Sequence, residues 1–429
     1  MNNKILYSYT AVVFSTLLFS FFYEIDISSG GASKDLKYHW NYILGLNENL
    51  KILLEYNHNF KYQYPQHFPL HHILISRFDY LSTNLNIYLN FYFILSLFLP
   101  VLFYYCLDNR FPEIEFKKKF FISLIIYLLP NYQAAAIWGN SHISSLIFFL
   151  GSIYFLINLE KKKEEKINLN IFFIVFLMAC AAYIKQYYVI FFPYLFISIF
   201  RITKFNHSIF FSLLSLILSV PGLLIFYNNP MLFGGLLYKV VDFKSSILIV
   251  ITIIFVYLVP FFISNLKFNF IKIIAILKNK NSLVILSSLL IIFFYIVLNF
   301  NYTGYLGGGF FHKISTVLIG NNFLFFLIAF LSLLLCFYYF NGRLEDIILI
   351  IIISTSFSTG YPVFQKYFEP MMIMLIFLLI KKDFVKKIFD FNYHVIFYYF
   401  SFYWIIYFFY SMNIIKKINL LFPSFIKIF

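Results

Sequence analysis

Ser245-Ser246-Ile247-Leu248-Ile249-Val250-Ile251-Thr252-Ile253-Ile254-Phe255-Val256-Tyr257-Leu258-Val259-Pro260-Phe261-Phe262-Ile263 runs without one charged side chain. Backbone N–H and C=O groups placed in lipid find no water, so a run of roughly 20 apolar residues reads as a helix that closes its own hydrogen bonds across a bilayer. Outward from it the same pattern recurs. Apolar stretches fall at 5–23, 84–105, 120–137, 142–159, 168–184, 187–200 and 208–227, and again at 245–265, 282–300, 321–340, 346–360, 367–380 and 394–411. They predict an all-α, polytopic membrane protein with about 13 transmembrane helices.

Composition agrees. Of 429 residues, 62% are hydrophobic and only 12% charged, against about 25% charged in soluble domains, which excludes a soluble fold. The 62 Phe and 36 Tyr accompany abundant Ile, Asn and Lys, the residue usage of an AT-rich coding sequence, so the aromatic excess says little about function. The net charge of +15 resides in short lysine runs between apolar stretches, where it sets topology and argues against nucleic-acid binding. Cys106, Cys180 and Cys336 lie in or beside apolar segments with no CxxC or Cys/His spacing, which leaves neither a disulfide framework nor a zinc site.

Residues 5–23 are too long for a signal-peptide core and are expected to be a retained first span. With the N-terminus inside, alternate connections carry Lys117 to Lys119, Lys161 to Lys163, Arg201, Lys204, Lys267, Lys272, Lys278, Lys280, Arg343, Lys381, Lys382, Lys386 and Lys387, the majority of the 33 basic residues. That bias predicts a multi-pass protein of the cell (inner) membrane with a cytoplasmic N-terminus. Its largest outer loop is 24–83, expected to carry short interfacial helices. An N-terminal module is expected over 1–227 and a C-terminal one over 228–429, with no internal repeat and no broken spans.

Residues able to do chemistry concentrate on the outer, non-cytoplasmic side. Asp35, or Asp26 as the second choice, can act as a general base towards a hydroxyl just above the bilayer. On a helix, Asp35 and His39 share one face at i, i+4. Farther along, Tyr62-Gln63-Tyr64-Pro65-Gln66-His67-Phe68-Pro69-Leu70-His71-His72 breaks the chain at two prolines before an interfacial segment. His67 and His71 have a metal-like spacing but no HExxH, so interfacial hydrogen bonding is the better reading; no cofactor is expected, and a divalent cation stays open. Trp138 lies in the turn Ile137-Trp138-Gly139-Asn140-Ser141-His142. Lys185 and Gln186 lie in another outer turn, where a cation can neutralise a phosphate. The late connections contribute His312 and Lys313 after Gly307-Gly308-Gly309, then Lys366 and Glu369; an acid at membrane depth is a functional candidate by default.

This arrangement resembles the GT-C superfamily of integral-membrane glycosyltransferases. Asp35, followed by Tyr38 and His39, matches the acid those enzymes place in the loop after span one. Tyr62 to Leu70 is similar to their Tyr-x-Tyr-Pro-Pro-x-x-Pro-Leu segment, with Gln66 in place of the second proline. Ala136-Ile137-Trp138-Gly139-Asn140-Ser141-His142 is similar to a small-x-Trp-Gly-x-x-Asp turn, with His142 where aspartate is usual. Lys185-Gln186 resembles the Arg-Gln turn, and Lys366-Tyr367 to Pro370 the late Arg-Tyr-x-x-x-Pro segment, of the dolichol-pathway alpha-1,2-glucosyltransferases. The resemblance implies sugar transfer, with inversion, from a polyprenyl-phosphate-linked donor to a glycan or lipid acceptor of the cell envelope, such as lipopolysaccharide. Substrate binding would then involve His39, Tyr64, His67, Trp138, Lys185, Gln186, His312, Lys313, Lys366 and Glu369. The alternatives are a lipid-linked glycan flippase or other transporter, and an O-antigen-type polymerase.

Overall fold

A computed structural model describes residues 2–27, 31–48, 50, 68–161, 167–228, 243–302, 307–340, 344–358 and 363–411. Every regular element among them is helical. The chain divides into two compact units, Met1–Tyr238 and Lys239–Phe429.

In the first unit α1 (Asn3–Phe22) begins where the Asn2 side chain accepts from Lys4 N–H, satisfying a donor that the first turn leaves open. Beyond it α2 (Ala32–Glu48) is amphipathic: Leu36, His39, Tyr42, Ile43 and Leu46 are buried, while Lys34, Lys37 and Tyr38 face outward. Two short helices, α3 (Leu70–Ser76) and α4 (Asp79–Ser82), lead into α5 (Leu85–Arg110), which Asn84 caps through Asn86 N–H and Ile87 N–H.

Next, α6 (Phe116–Ile125) passes through a 3-10 turn into α7 (Pro130–Ile137). Pro130 lacks an N–H, and the residue before a proline is driven out of the helical region; Leu129 is extended, and the two pieces meet at 68°. All of α7 is buried. The unit closes with α8 (His142–Lys161), α9 (Ile167–Ala182), α10 (Phe191–Ile202) and α11 (Phe205–Asn228). Among these, α8 packs on α5 and α9.

The second unit is built around α12 (Phe243–Ser264), which contains the uncharged run 245–263; it packs on α16 (Phe323–Phe340), α17 (Leu344–Ser358) and α20 (Tyr393–Ser411). Between them lie α13 (Leu266–Leu277), α14 (Lys280–Leu298), α15 (Gly309–Ile314), α18 (Met371–Leu378) and α19 (Lys382–Ile388). Asn265 Nδ2 donates to Lys387 C=O, and Asn392 N–H to Ser264 C=O. Lysine-bearing connections at 265–280 and 381–392, expected on one side of the membrane, therefore meet at one end of this unit.

Each of the thirteen apolar stretches carries helix among its described residues. By length and composition, however, seven helices among the described residues suffice to cross a membrane, or eight if the bent α6–α7 pair counts as one. Part of the difference is continuity: α10 has 12 residues and α18 has 8. The expectation of unbroken spans also yields at Pro130. The protein is a membrane-embedded, multi-pass, all-α protein.

Candidate functional site

The first unit gathers its polar residues where α2, α3, α5 and the α7–α8 turn meet. Amphipathic α2 presents Asp35 in its first turn and His39 one turn later, on the face turned inward. Asp26 has a nearer task. Its Oδ2 accepts from Ser33 N–H at 2.9 Å and from Ser33 Oγ at 2.8 Å, so this carboxylate clasps the start of α2 and the structure gives it a capping position.

Buried His39 meets His72 of α3, with Nδ1 and Nε2 2.8 Å apart and the rings stacked at 5.0 Å. One proton between two imidazoles makes one ring the donor and the other the acceptor. The neighbouring His71 turns the opposite way, its Nε2 3.2 Å from Tyr88 Oη and its Nδ1 3.1 Å from Ser144 Oγ. Tyr88 gives its own proton to Gly139 C=O at 2.5 Å, which leaves Nε2–H of His71 as the donor to Tyr88 and Nδ1 as the acceptor from Ser144. Burial, with the nearby Lys185 cation adding to it, pushes the His71 pKa down to about 3. His71 is therefore neutral, as that bonding pattern requires.

Gly139 holds the turn in place. Its φ is +57°, and a Cβ there would lie 2.5 Å from Tyr88 Cε1, so only glycine fits. One turn along α5, Tyr92 donates to Asn140 C=O at 2.5 Å. The Asn140 side chain receives His142 N–H, and His142 Nδ1 lies 2.8 Å from Tyr187 Oη. Trp40 of α2 packs against the Tyr88 ring at 5.6 Å, and Leu70 N–H donates to Tyr183 C=O. This last bond brings α3 to the end of α9, where Lys185 is 3% exposed and followed by Gln186 in a 3-10 turn. Trp138 is half-buried in the Gly139 turn. One contiguous set thus contains His39, Lys185, His142 and the Gly139 turn, with Asp35 at its α2 edge.

Tyr64 and His67, with the rest of 51–67, lie outside the described residues.

The second unit holds a different cluster. Glu369, fully buried, accepts from Tyr257 Oη at 2.8 Å and Tyr403 Oη at 2.5 Å, and Gln365 Nε2 donates to Tyr403 Oη at 2.6 Å. Lys366 lies 5.4 Å and 5.9 Å from the centroids of the Phe364 and Tyr367 rings. Gly308 N–H donates to Val363 C=O, which joins the glycine turn to this segment. His312 sits among Phe300, Tyr302 and Phe325; burial first, and then Lys313, hold its pKa below the usual imidazole value. Among the described residues, no group of His, Cys, Asp and Glu is arranged to hold a metal ion.

Sequence reasoning missed Tyr88, Tyr92, Ser144, Tyr257 and Tyr403, and it did not foresee the pairing of His72 with His39. Tyr88 and Tyr92, at i, i+4 with Asn84 one turn before, did carry a signal: a polar stripe down one face of an apolar helix. No family model, curated protein or solved structure matches the chain.

Proposed function

We propose that the chain is a membrane glycosyltransferase of the GT-C kind, moving a sugar from a polyprenyl-phosphate-linked donor to a lipid-linked glycan or other envelope acceptor on the non-cytoplasmic face. The observation that supports this reading is the convergence of the first loop on the span ends: α2 carries Asp35 and His39 onto the same cluster as His72, Lys185 and the Trp138-Gly139-Asn140 turn. Asp35, at the cluster's half-exposed edge, removes the proton from an acceptor hydroxyl. The oxygen attacks the anomeric carbon, the bond from that carbon to the phosphate oxygen breaks, and the electron pair leaves with the lipid phosphate. Lys185, buried and cationic, stabilises the departing charge. The neutral His71 network holds the neighbouring groups in position.

The test is transfer of radiolabelled sugar from a panel of polyprenyl-phosphate sugars by purified protein. Asp35→Asn keeps the shape but not the base, and a loss on the order of 10²-fold or more is expected; unchanged transfer sinks the assignment. A transporter remains the second reading, favoured by the 68° break between α6 and α7 and by the buried Glu369 at the head of short α18, since transporters place polar sites on broken helices. Labelled glycan crossing proteoliposome membranes, with no transfer from any donor, would select it.

A further inference from the structure

The lysine-rich end of the second unit contains a cleft of about 370 Å³ between α13, α19 and the facing ends of α16 and α17. Lys272, Lys381 and Lys387 line it, against Asp346 and Asp383, so its charge balance is positive. Lys272 Nζ lies 3.2 Å from the centre of the Phe384 ring and 4.6 Å from that of Tyr338, and donates to Tyr338 C=O at 3.3 Å. Those rings fix the ammonium group at the wall of the cleft.

One wall of the cleft is apolar. Helix α13 has 12 residues, too few to cross a bilayer, and leaves Phe270 56%, Ile271 61% and Ile274 54% exposed. Ile271 is itself part of the cleft wall. An amphipathic helix of this kind lies in the plane of the interface, with its apolar side in the acyl region. A basic recess beneath such a helix puts cations at the depth of lipid phosphates and places hydrocarbon beside them.

We propose that this cleft binds the phosphate of an anionic lipid, with Lys272, Lys381 and Lys387 on the headgroup and the acyl chains along Ile271 and Ile274. Burial, together with the charges of Lys381 and Lys387, outweighs Asp346 and holds the Lys272 pKa down to about 7; a bound phosphate supplies the opposite charge that secures the ammonium form. A free phosphate would meet only the lysines, whereas a lipid also lays its chains against Ile271 in the cleft wall. The site owes nothing to the glycosyltransferase reading.

The experiment is native mass spectrometry of the full chain, released from micelles containing dioleoylphosphatidylglycerol, dioleoylphosphatidylcholine or inorganic phosphate alone. Phosphatidylglycerol should be retained over phosphatidylcholine. Lys272→Gln and Lys381→Gln, the second at the mouth of the cleft, should each weaken that retention about tenfold, the loss of one charge-assisted hydrogen bond, while Lys280→Gln on α14 leaves it unchanged. If Lys272→Gln unfolds, Lys381→Gln alone carries the test. Equal retention of the two lipids, equal losses in all three variants, or saturable binding of inorganic phosphate with no preference between lipids would overturn the proposal.

Discussion

The two buried clusters hold their ionisable groups in opposite ways. In the first, buried nitrogen bases gather: His39 pairs with His72, His71 bonds Tyr88 and Ser144, and Lys185 lies near His71. In the second, one carboxylate, Glu369, takes two tyrosine hydroxyls within the packed interior. Tyrosine serves both because a buried polar group needs a partner and Tyr carries its hydroxyl on a large apolar body. The difference lies in access. The basic cluster ends at half-exposed Asp35 on a helix outside the spans, whereas Glu369 has no exposed surface. The first arrangement is suited to meeting a substrate, the second to holding a fold or a proton.

The sharpest way to break the first cluster is Gly139→Ala. The new methyl would combine left-handed backbone strain with overlap onto Tyr88, and a loss of ~4 kcal/mol of stability is expected, read as reduced resistance to SDS-induced unfolding. In the second cluster Glu369→Ala leaves two buried hydroxyls without their acceptor and should cost ~3 kcal/mol, while Glu369→Gln, which retains an acceptor oxygen, should cost ~1 kcal/mol. Equal losses from the two would mean that the carboxylate charge, and not its acceptor role, is what the site requires.

A pH series separates the clusters further. The folded His71 pKa lies below the unfolded value, so the unfolded chain takes up the proton first; stability rises with pH between about 3 and 6.5 and is flat above. From pH 6.5 to pH 5.5 the expected loss is ~1 kcal/mol. Unfolding curves of the wild type and His71→Gln at both pH values check it, because the difference between the two proteins should shrink by that amount in acid. Asp26→Ala, which frees Ser33 and the start of α2, should cost a similar ~1 kcal/mol. If it abolished activity while stability held, Asp26 would be more than a clasp.

Helix content was legible because apolar runs persist in the sequence, and each of the thirteen contains helix. Span number was not, because a window average measures apolarity and is blind to where a helix stops; Pro130 ends one run midway, and α18 has only eight residues. Within the candidate site, the Asp35–His39 face followed from helical spacing. The His39–His72 pair did not, since 33 residues separate the rings and nothing local marks the partner. Tyr88 and Tyr92 were hidden by abundance: among 36 tyrosines, two with structural duties do not stand out. Asp26 drew attention as an acid near the membrane, but its hold on Ser33 depends on a turn that the sequence does not announce.

All eight residues of α7 are buried, and they include Asn131 and Gln133; Gln133 bonds to Ser20 Oγ and to Tyr127 C=O. A segment screened in this way takes its selection from neighbouring volume and hydrogen bonding, as the interior of a water-soluble protein does, and the surrounding bilayer sets no rule for it. Saturation mutagenesis of 130–137 should therefore sort substitutions by size and bonding capacity, and a hydropathy scale should rank them poorly.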